Sequence, residues 1–223
     1  SLPGAQAVAI SNTLPPDQTD FSDVFYIEGR PVPKQPDIAY YNLVSPEYFK
    51  ALEIPLRRGR SHTDADSENA PLVCLVNETF HRSFFGVEDP LRKRINVGSP
   101  GQPNWIEIVG VVGDVKYNGV TEAVQPAIYL AVAQSPTRGG FLVLKTTLED
   151  PTGLIGPVRN DLKRLDPDLP VTNVGILKDQ VSDRLAEPRF RTGLITLFAV
   201  VALLLACVGV YGVISYSVTQ RTH

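Results

Sequence analysis

Two cysteines and three histidines are all that the 223 residues offer for thiol or imidazole chemistry. Cys74 lies in the apolar run PLVCLV and Cys207 in a long apolar tail, so a bond between them would tie a strand to the middle of a hydrophobic helix. Both read as buried, inert thiols, and there is neither a CxxC metal spacing nor a disulfide framework. No GxxxxGK[ST] loop occurs, so the chain is not expected to hydrolyse ATP itself. No GxSxG elbow occurs either, and the histidines are scattered, which removes the common hydrolase signature. A formal net charge of −3 leaves no basic excess to attract nucleic acid. The first residues lack the basic and apolar regions of a signal peptide. The chain is read as a piece of a longer one.

Charge is also missing from one long stretch. From Thr192 to Gln220 there are 29 consecutive residues with no Asp, Glu, Lys or Arg. All 24 acidic and 20 of the 21 basic residues precede it, so the first 191 residues carry −4 and the tail +1. The densest part, LITLFAVVALLLACVGVYGVISY (194–216), is apolar all round. About 20 such residues span a hydrocarbon core of about 30 Å, whereas a buried helix of a soluble domain rarely runs this long uncharged. A transmembrane helix is expected here. Ala199, Ala202, Ala206 and Gly209 fall on one stripe, equally well explained by close helix packing or by ordinary small-residue enrichment. Tyr211 and Tyr216 suit the far interface. Arg184, Arg189 and Arg191 precede the span and Arg221 follows it; these arginines alone would place the preceding part inside the cell.

The rest reads as α+β, because strands and helices alternate irregularly with hairpins. Residues 1–36 are polar and proline-rich, with one expected strand, VFYIEG (24–29). IAYYNLV (38–44) is a second strand. Ser45 then resembles an N-cap, with Pro46 at the first helical position before EYFKAL. Gly59 marks a turn and HTDADSENA (62–70) a polar loop. PLVCLV (71–76) is a fully apolar strand. Asn77 is placed to cap ETFHRSFF, and Gly86 to terminate it. RINVG (94–98) and WIEIVGVVGDV (105–115) pair as strands, and AIYLAVA (127–133) and GFLVLKTT (140–147) follow. Asp150-Pro151 opens a helix with Ile155, Val158, Leu162 and Leu165 on one face. VTNVGI (171–176) is a last strand, leading into an amphipathic helix with Leu177, Val181 and Leu185.

Candidate chemistry is sparse. His62, Asp64, Asp66 and Glu68 resemble a metal cluster, and the alternating acids at 64 and 66 suit a calcium loop. Asn69 stands where that loop needs glycine and Leu75 where it needs glutamate, so a solvated loop is expected instead. GVVGDV holds two glycines beside a strand without the GxGxxG order or the following helix of a nucleotide site. His81, between Phe80 and Arg82, reads as a surface residue. Asn77-Glu78-Thr79 matches a glycosylation sequon, but helix capping explains the asparagine better. No catalytic, cofactor-binding or metal residue is assigned.

Five ordered blocks resemble the MacB-like periplasmic core domain of ABC transporter permeases. They are VSPEYFKALEIPLRRGRSHTDAD (44–66), VNETFHRSFFGVEDPLRKRI (76–95), VGVVGDVKYNGVTEAVQPAIYLAVAQ (109–134), LDPDLPVTNV (165–174) and RFRTGLITLFAVVALLLACVGVYGVISYSVTQRT (189–222). The resemblance runs from about Val24 onward. Arg92 stands where the family usually has glycine, and His62 where an aromatic is common.

The resemblance implies a two-lobed periplasmic domain over 1–188, with a porter-like lobe and a smaller inserted lobe at about 69–134. A membrane helix at 189–221 would open the permease module. It implies a place in the bacterial cytoplasmic (inner) membrane, with residues 1–188 outside, against the arginine count. The expected function is the periplasmic part of an ABC-type exporter or mechanotransmission permease. Its implied partners are an ABC ATPase subunit or domain, a second copy or paired permease half, a periplasmic adaptor protein and membrane lipid. A membrane-anchored sensor or ligand-binding domain is the alternative, and a tethered hydrolase lacks a catalytic set.

Overall fold

Alternation along AQAVAIS puts Ala7, Ala9 and Ser11 on one side of a strand and Gln6, Val8 and Ile10 on the other, and β1 (Ala5–Ser11) buries the first three. The structure is a computed structural model that describes residues 4–15, 21–98, 104–115, 123–137, 139–148, 150–179, 196, 198, 199 and 201–203. It divides into Ser1–Val174 and Gly175–His223.

In the first unit β2 (Ser22–Ile27) and β3 (Asp37–Val44) form an antiparallel pair. A short helix α1 (Tyr48–Ala51) and strand β4 (Leu56–Gly59) follow. Next come β5 (Val73–Asn77), α2 (Glu78–Phe84), β6 (Arg94–Val97), β7 (Ile106–Val112) and β8 (Ala127–Ala131). Finally there are β9 (Phe141–Thr146), a 3-10 turn (Pro151–Leu154) and α3 (Ile155–Leu165). The mixture of hairpins with parallel β3–β8 and β5–β7 pairs is the expected α+β arrangement.

Six strands close on themselves. β2 pairs with β3, β3 with β8, β8 with β5, β5 with β7, β7 with β6, and β6 with β2. Each of these strands sends side chains into one core: Phe25, Ala39, Cys74, Val76, Ile95, Ile106, Ile108, Val111 and Ile128, joined by Phe80 and Phe85 at or just after α2. Small barrels fill with side chains in this way rather than enclosing a channel. The outward face carries a second core, in which Val44, Leu75, Val112, Ala127 and Tyr129 meet Ala7 and Ala9 of β1 and Tyr48, Phe49 and Ala51 of α1. β1 then pairs with β9. Residues 69–134 supply β5 to β8 and α2, and the ring is completed by β2 and β3 from outside that range.

Several local expectations need correction. Residues 1–36 hold two strands rather than one. β1 escaped notice because alanine, poor in strand propensity, fills its buried positions. Ser45 does not cap a helix: its hydroxyl accepts the Ile10 amide at 2.9 Å, and α1 starts later, at Tyr48. Gly59 ends β4 instead of making a turn. Its φ is +72°, and a Cβ there would stand 2.2 Å from the Val109 carbonyl oxygen. Opposite it in the ladder, a Cβ on Gly110 would stand 2.3 Å from the Arg60 carbonyl oxygen. The two glycines let β4 lie against a bulge in β7.

Residues 171–176 form no strand. Asn173 has φ +52°, which interrupts extended backbone, and no strand of the sheet offers these residues a ladder. In α3, Ile155, Val158 and Leu162 are half-buried as expected, but Leu165 is 83% exposed. Asp150 does cap the turn before it, accepting the Thr152 amide at 2.9 Å.

In the second unit, helix begins at residues 177–179, while Val181 and Leu185 lie outside the described residues. So does most of the expected membrane span, including Cys207 and Gly209. Of it, residues 196, 198, 199 and 201–203 are described; all are helical, with Phe198, Val201 and Leu203 exposed. Among the described residues, no helix is long and apolar enough to cross a membrane.

Arg92, the residue that replaces a glycine of the resembling sequences, has φ +64°. Its amide still donates to the Ile108 carbonyl at 2.9 Å, so the turn is kept despite the Cβ. A left-handed residue with a Cβ costs about 1–2 kcal/mol, and a new glycine in the unfolded chain returns about 0.4–1 kcal/mol of that. Arg92→Gly is therefore expected to stabilise the domain by up to about 1.5 kcal/mol. Denaturant unfolding followed by Trp105 fluorescence checks this, and a loss of stability would contradict the strain.

Candidate functional site

The loop after β4 begins with Arg60 and carries the four residues whose spacing suggested a metal. The structure separates them. Asp64 and Glu68 face water, whereas His62 and Asp66 are buried, at 3% and 5% exposure. Among the described residues no group of three His, Cys, Asp or Glu side chains is placed to hold a metal. The expectation of a solvated loop holds for only part of it.

Asp66 turns inward because its carboxylate is fully engaged. Arg60 meets it with two nitrogens, Nη1 to Oδ2 and Nη2 to Oδ1, both at 2.8 Å. Thr63 adds its amide at 2.8 Å and its hydroxyl at 3.1 Å. A forked guanidinium pair is among the stronger charge-assisted contacts. The bonds from Arg60, more than any other cause, hold the Asp66 carboxyl down to about 2 against burial, which pushes the other way. The Thr63-x-x-Asp66 spacing was the available signal, since threonine followed three residues later by an acid commonly closes a local turn.

His62 reaches in the other direction, its Nε2 lying 3.2 Å from the Tyr129 carbonyl oxygen on β8. At the far end of the loop Gln134 spans the gap to β5. Its amide nitrogen donates to the Ser67 and Pro71 carbonyls at 3.3 and 2.9 Å, and its oxygen accepts the Val73 amide at 3.1 Å. The loop is thus fastened to the ring wall near its start by His62 and at its far end by Gln134, while the Arg60–Asp66 fork closes it on itself.

A second polar anchor lies at the start of α2. Asn77, 1% exposed, accepts the amides of Phe80 and Ala127 on Oδ1, each at 2.9 Å, and donates through Nδ2 to the Gln125 carbonyl at 2.9 Å. The capping expectation is met, and the side-chain nitrogen a glycan would need is already inside the fold. Gly86, with φ +60°, follows the helix and donates to the His81 carbonyl at 3.0 Å, as expected of a terminator. Asp114, the acid of GVVGDV, accepts the Thr79 amide and hydroxyl at 2.8 Å each and Arg82 at 2.7 Å. Sequence reading gave it no role. It braces a helix N-terminus, where a carboxylate is favoured, and the two glycines of that run belong to β7 and the residue beyond it, not to a phosphate cradle.

The remaining candidates are structural. His81 places Nε2 3.1 Å from the Glu88 carbonyl oxygen. Cys74 is fully buried, and burial pushes its thiol well above the ordinary range, so it is unreactive. Arg30 stacks 5.0 Å over the Phe85 ring while donating to the Phe84 carbonyl at 2.7 Å and to Glu88 at 3.1 Å, and Lys93 also pairs with Glu88. Such half-exposed pairs are individually weak, but they tie the β2–β3 hairpin to α2.

Comparison with known proteins follows the same lines. The family model of the MacB-like periplasmic core domain matches residues 4–152, starting earlier than the resembling blocks and ending before the last two of them. Among solved structures, the periplasmic region of MacB from Actinobacillus actinomycetemcomitans is similar with a TM-score of 0.53 at 18% identity, over 74% of this chain and 69% of that one. The extracellular domain of the noncanonic ABC-type transporter YknZ from Gram-positive bacteria is similar with a TM-score of 0.50 at 17% identity, over 74% and 79%. At these identities the likeness is one of fold. No curated protein matches the chain.

Asp66 supplies a test of the loop anchor. Its folded-state value of about 2 lies below the ordinary 3.8, so its contribution is present above pH 3.8 and is lost as pH falls through 2. That difference corresponds to about 2 kcal/mol at neutral pH. Asp66→Asn is expected to lower unfolding stability by about that amount at pH 7 and by progressively less between pH 4 and pH 2. A gap between variant and parent that does not narrow on acidification would show that the charge is not what holds the loop.

Proposed function

Because the chain belongs to the MacB-like periplasmic core domain family, we propose that it is the extracytoplasmic part of an ABC-type permease that works in export or in mechanical transmission across the membrane. The family match over residues 4–152 carries this reading. Supporting it are the uncharged run from Thr192 to Gln220, long enough for a membrane helix beginning within 189–221, and the absence of a Walker-type loop, which assigns ATP hydrolysis to a partner subunit or domain. The domain over 1–188 then lies on the periplasmic side. Its smaller lobe, about 69–134, contributes most of the closed ring, and β1 and β9 belong to the porter-like lobe.

The mechanism follows from stiffness. A ring of six hydrogen-bonded strands with side chains packed on both faces has low compressibility. Displacement at its base is transmitted as rigid-body motion, the usual form of an allosteric domain movement. In this reading the ATPase closes two permease halves, of the same or a paired chain. The amphipathic segment over 177–191 acts as a stalk. The external domains open and close on a substrate or a periplasmic adaptor protein.

Two measurements test the proposal. In cells expressing the full-length permease, Lys34→Cys in the exposed β2–β3 loop is expected to react with a membrane-impermeant maleimide before lysis, while Cys74 stays protected. Labelling of residue 34 only after lysis would refute the external placement. Inserting a flexible Gly/Ser segment after Pro188 is expected to abolish ATP-driven export while leaving ATPase binding intact. Unchanged export would rule out the stalk, and a cytoplasmic signalling domain in place of further membrane spans downstream would favour a sensor instead.

A further inference from the structure

His62 is sealed into the outer core of the ring, and its surroundings are built for one protonation state. The residue is 3% exposed. Since a carbonyl only accepts, the 3.2 Å contact with the Tyr129 oxygen requires a proton on Nε2. Nδ1 is then left as the unprotonated nitrogen. It is buried and has no hydrogen-bond partner. A proton added there would have nothing to donate to.

The neighbouring charges do not relieve this. On the same loop, the Arg60 guanidinium disfavours a second cation. Asp66 favours one, but its oxygens are already taken by Arg60 and Thr63. From β7, Glu107 acts on Arg60 rather than on the imidazole. From β8, Tyr129 presents its backbone carbonyl, and its ring packs against Tyr48 and Phe49 with centroids 6.4 and 5.1 Å away. Asp64 and Glu68 point to solvent. The hydrogen bond that fastens His62 to this wall is thus the one to the Tyr129 carbonyl.

We infer that residues 61–70 form an acid-released latch, closed on β8 by neutral His62 and opened when the imidazole gains its second proton and leaves the core. Burial, as the main cause, holds the imidazole below its ordinary 6.5, so the unfastened loop binds more protons than the fastened one as pH drops. The fastening is complete above pH 6.5 and weakens below it. Arg60 and Gln134 stay in place at the two ends, so opening is local. The ring remains folded while a strip of its outer core becomes exposed. An extracytoplasmic domain meets such acidification directly, and the released strip would be offered to whatever contacts that face.

Hydrogen exchange on the whole 223-residue chain in detergent micelles, measured at pH 7.5 and 5.5 and corrected for intrinsic rates, tests the latch. Peptides within 61–70 are expected to open at least about threefold more readily at the lower pH, since the opening equilibrium shifts by up to about tenfold for each pH unit between the released imidazole's 6.5 and its lower folded value. Peptides in β5 and β7 should be unchanged. His62→Phe, which keeps a ring in the core, and His62→Gln, which can still donate to the Tyr129 carbonyl, should both lose the acid increment. An equal increment in parent and variants would overturn the inference. So would ring chemical shifts showing His62 titrating at 6.5 or above in the parent with the loop still protected; that readout needs no variant.

Discussion

Phe25 is the residue at which two ladders meet. Its backbone is in register with Asp37 on β3 and with Val97 on β6, so β2 has a hydrogen-bonded neighbour on each edge and the ring has no gap. Its side chain is 2% exposed and packs on Phe80 and Phe84 of α2 with centroids 4.9 and 4.8 Å away. Closure removes the free edges that an open sheet of these strands would present. It also forces every inward side chain into one volume, which is why α2 enters the interior core with Phe80 and the following Phe85. The outer core, with α1 and β1, rests on the other face of that wall.

Polar contacts are placed where the chain leaves that wall. The Asn77 and Asp114 networks hold α2 at its first turn, and the Arg60–Asp66 fork and Gln134 hold the loop between β4 and β5. Each satisfies backbone groups that burial would otherwise leave unpaired at a cost of about 1–3 kcal/mol. Among the described residues the interior core is apolar and includes the buried thiol of Cys74.

Strands whose apolar residues are bulky are legible from sequence: β2, β3, β5, β6, β7, β8 and β9 each fall within a few residues of the expected span. β1 was missed because its inward residues are Ala7, Ala9 and Ser11, too small to register as a hydrophobic face. β4 was missed because all four of its residues are exposed and its partner is reached only through two facing glycines. Residues 171–176 have strand-like composition, yet Asn173 adopts a left-handed backbone and the strand does not form. Ring closure was out of reach, since pairing of β2 with β6 joins segments about 70 residues apart and leaves no periodic mark. At the candidate site, the Asn77 cap was readable because capping is local. The burial of His62 was not, because its partner is a carbonyl on a strand 67 positions away.

The place of Asn77 has a consequence for where the chain can be made. Asn77-Glu78-Thr79 is an acceptor sequence for N-linked sugar. In the folded domain its amide is out of reach, but a chain entering a eukaryotic secretory compartment is still extended when the sugar is transferred. A glycan attached at that moment would occupy the nitrogen that must bond Gln125 and block entry of the side chain into the wall. The modified polypeptide would be trapped short of its native form, so a bacterial host, which lacks that transfer, is the compatible factory for this sequence.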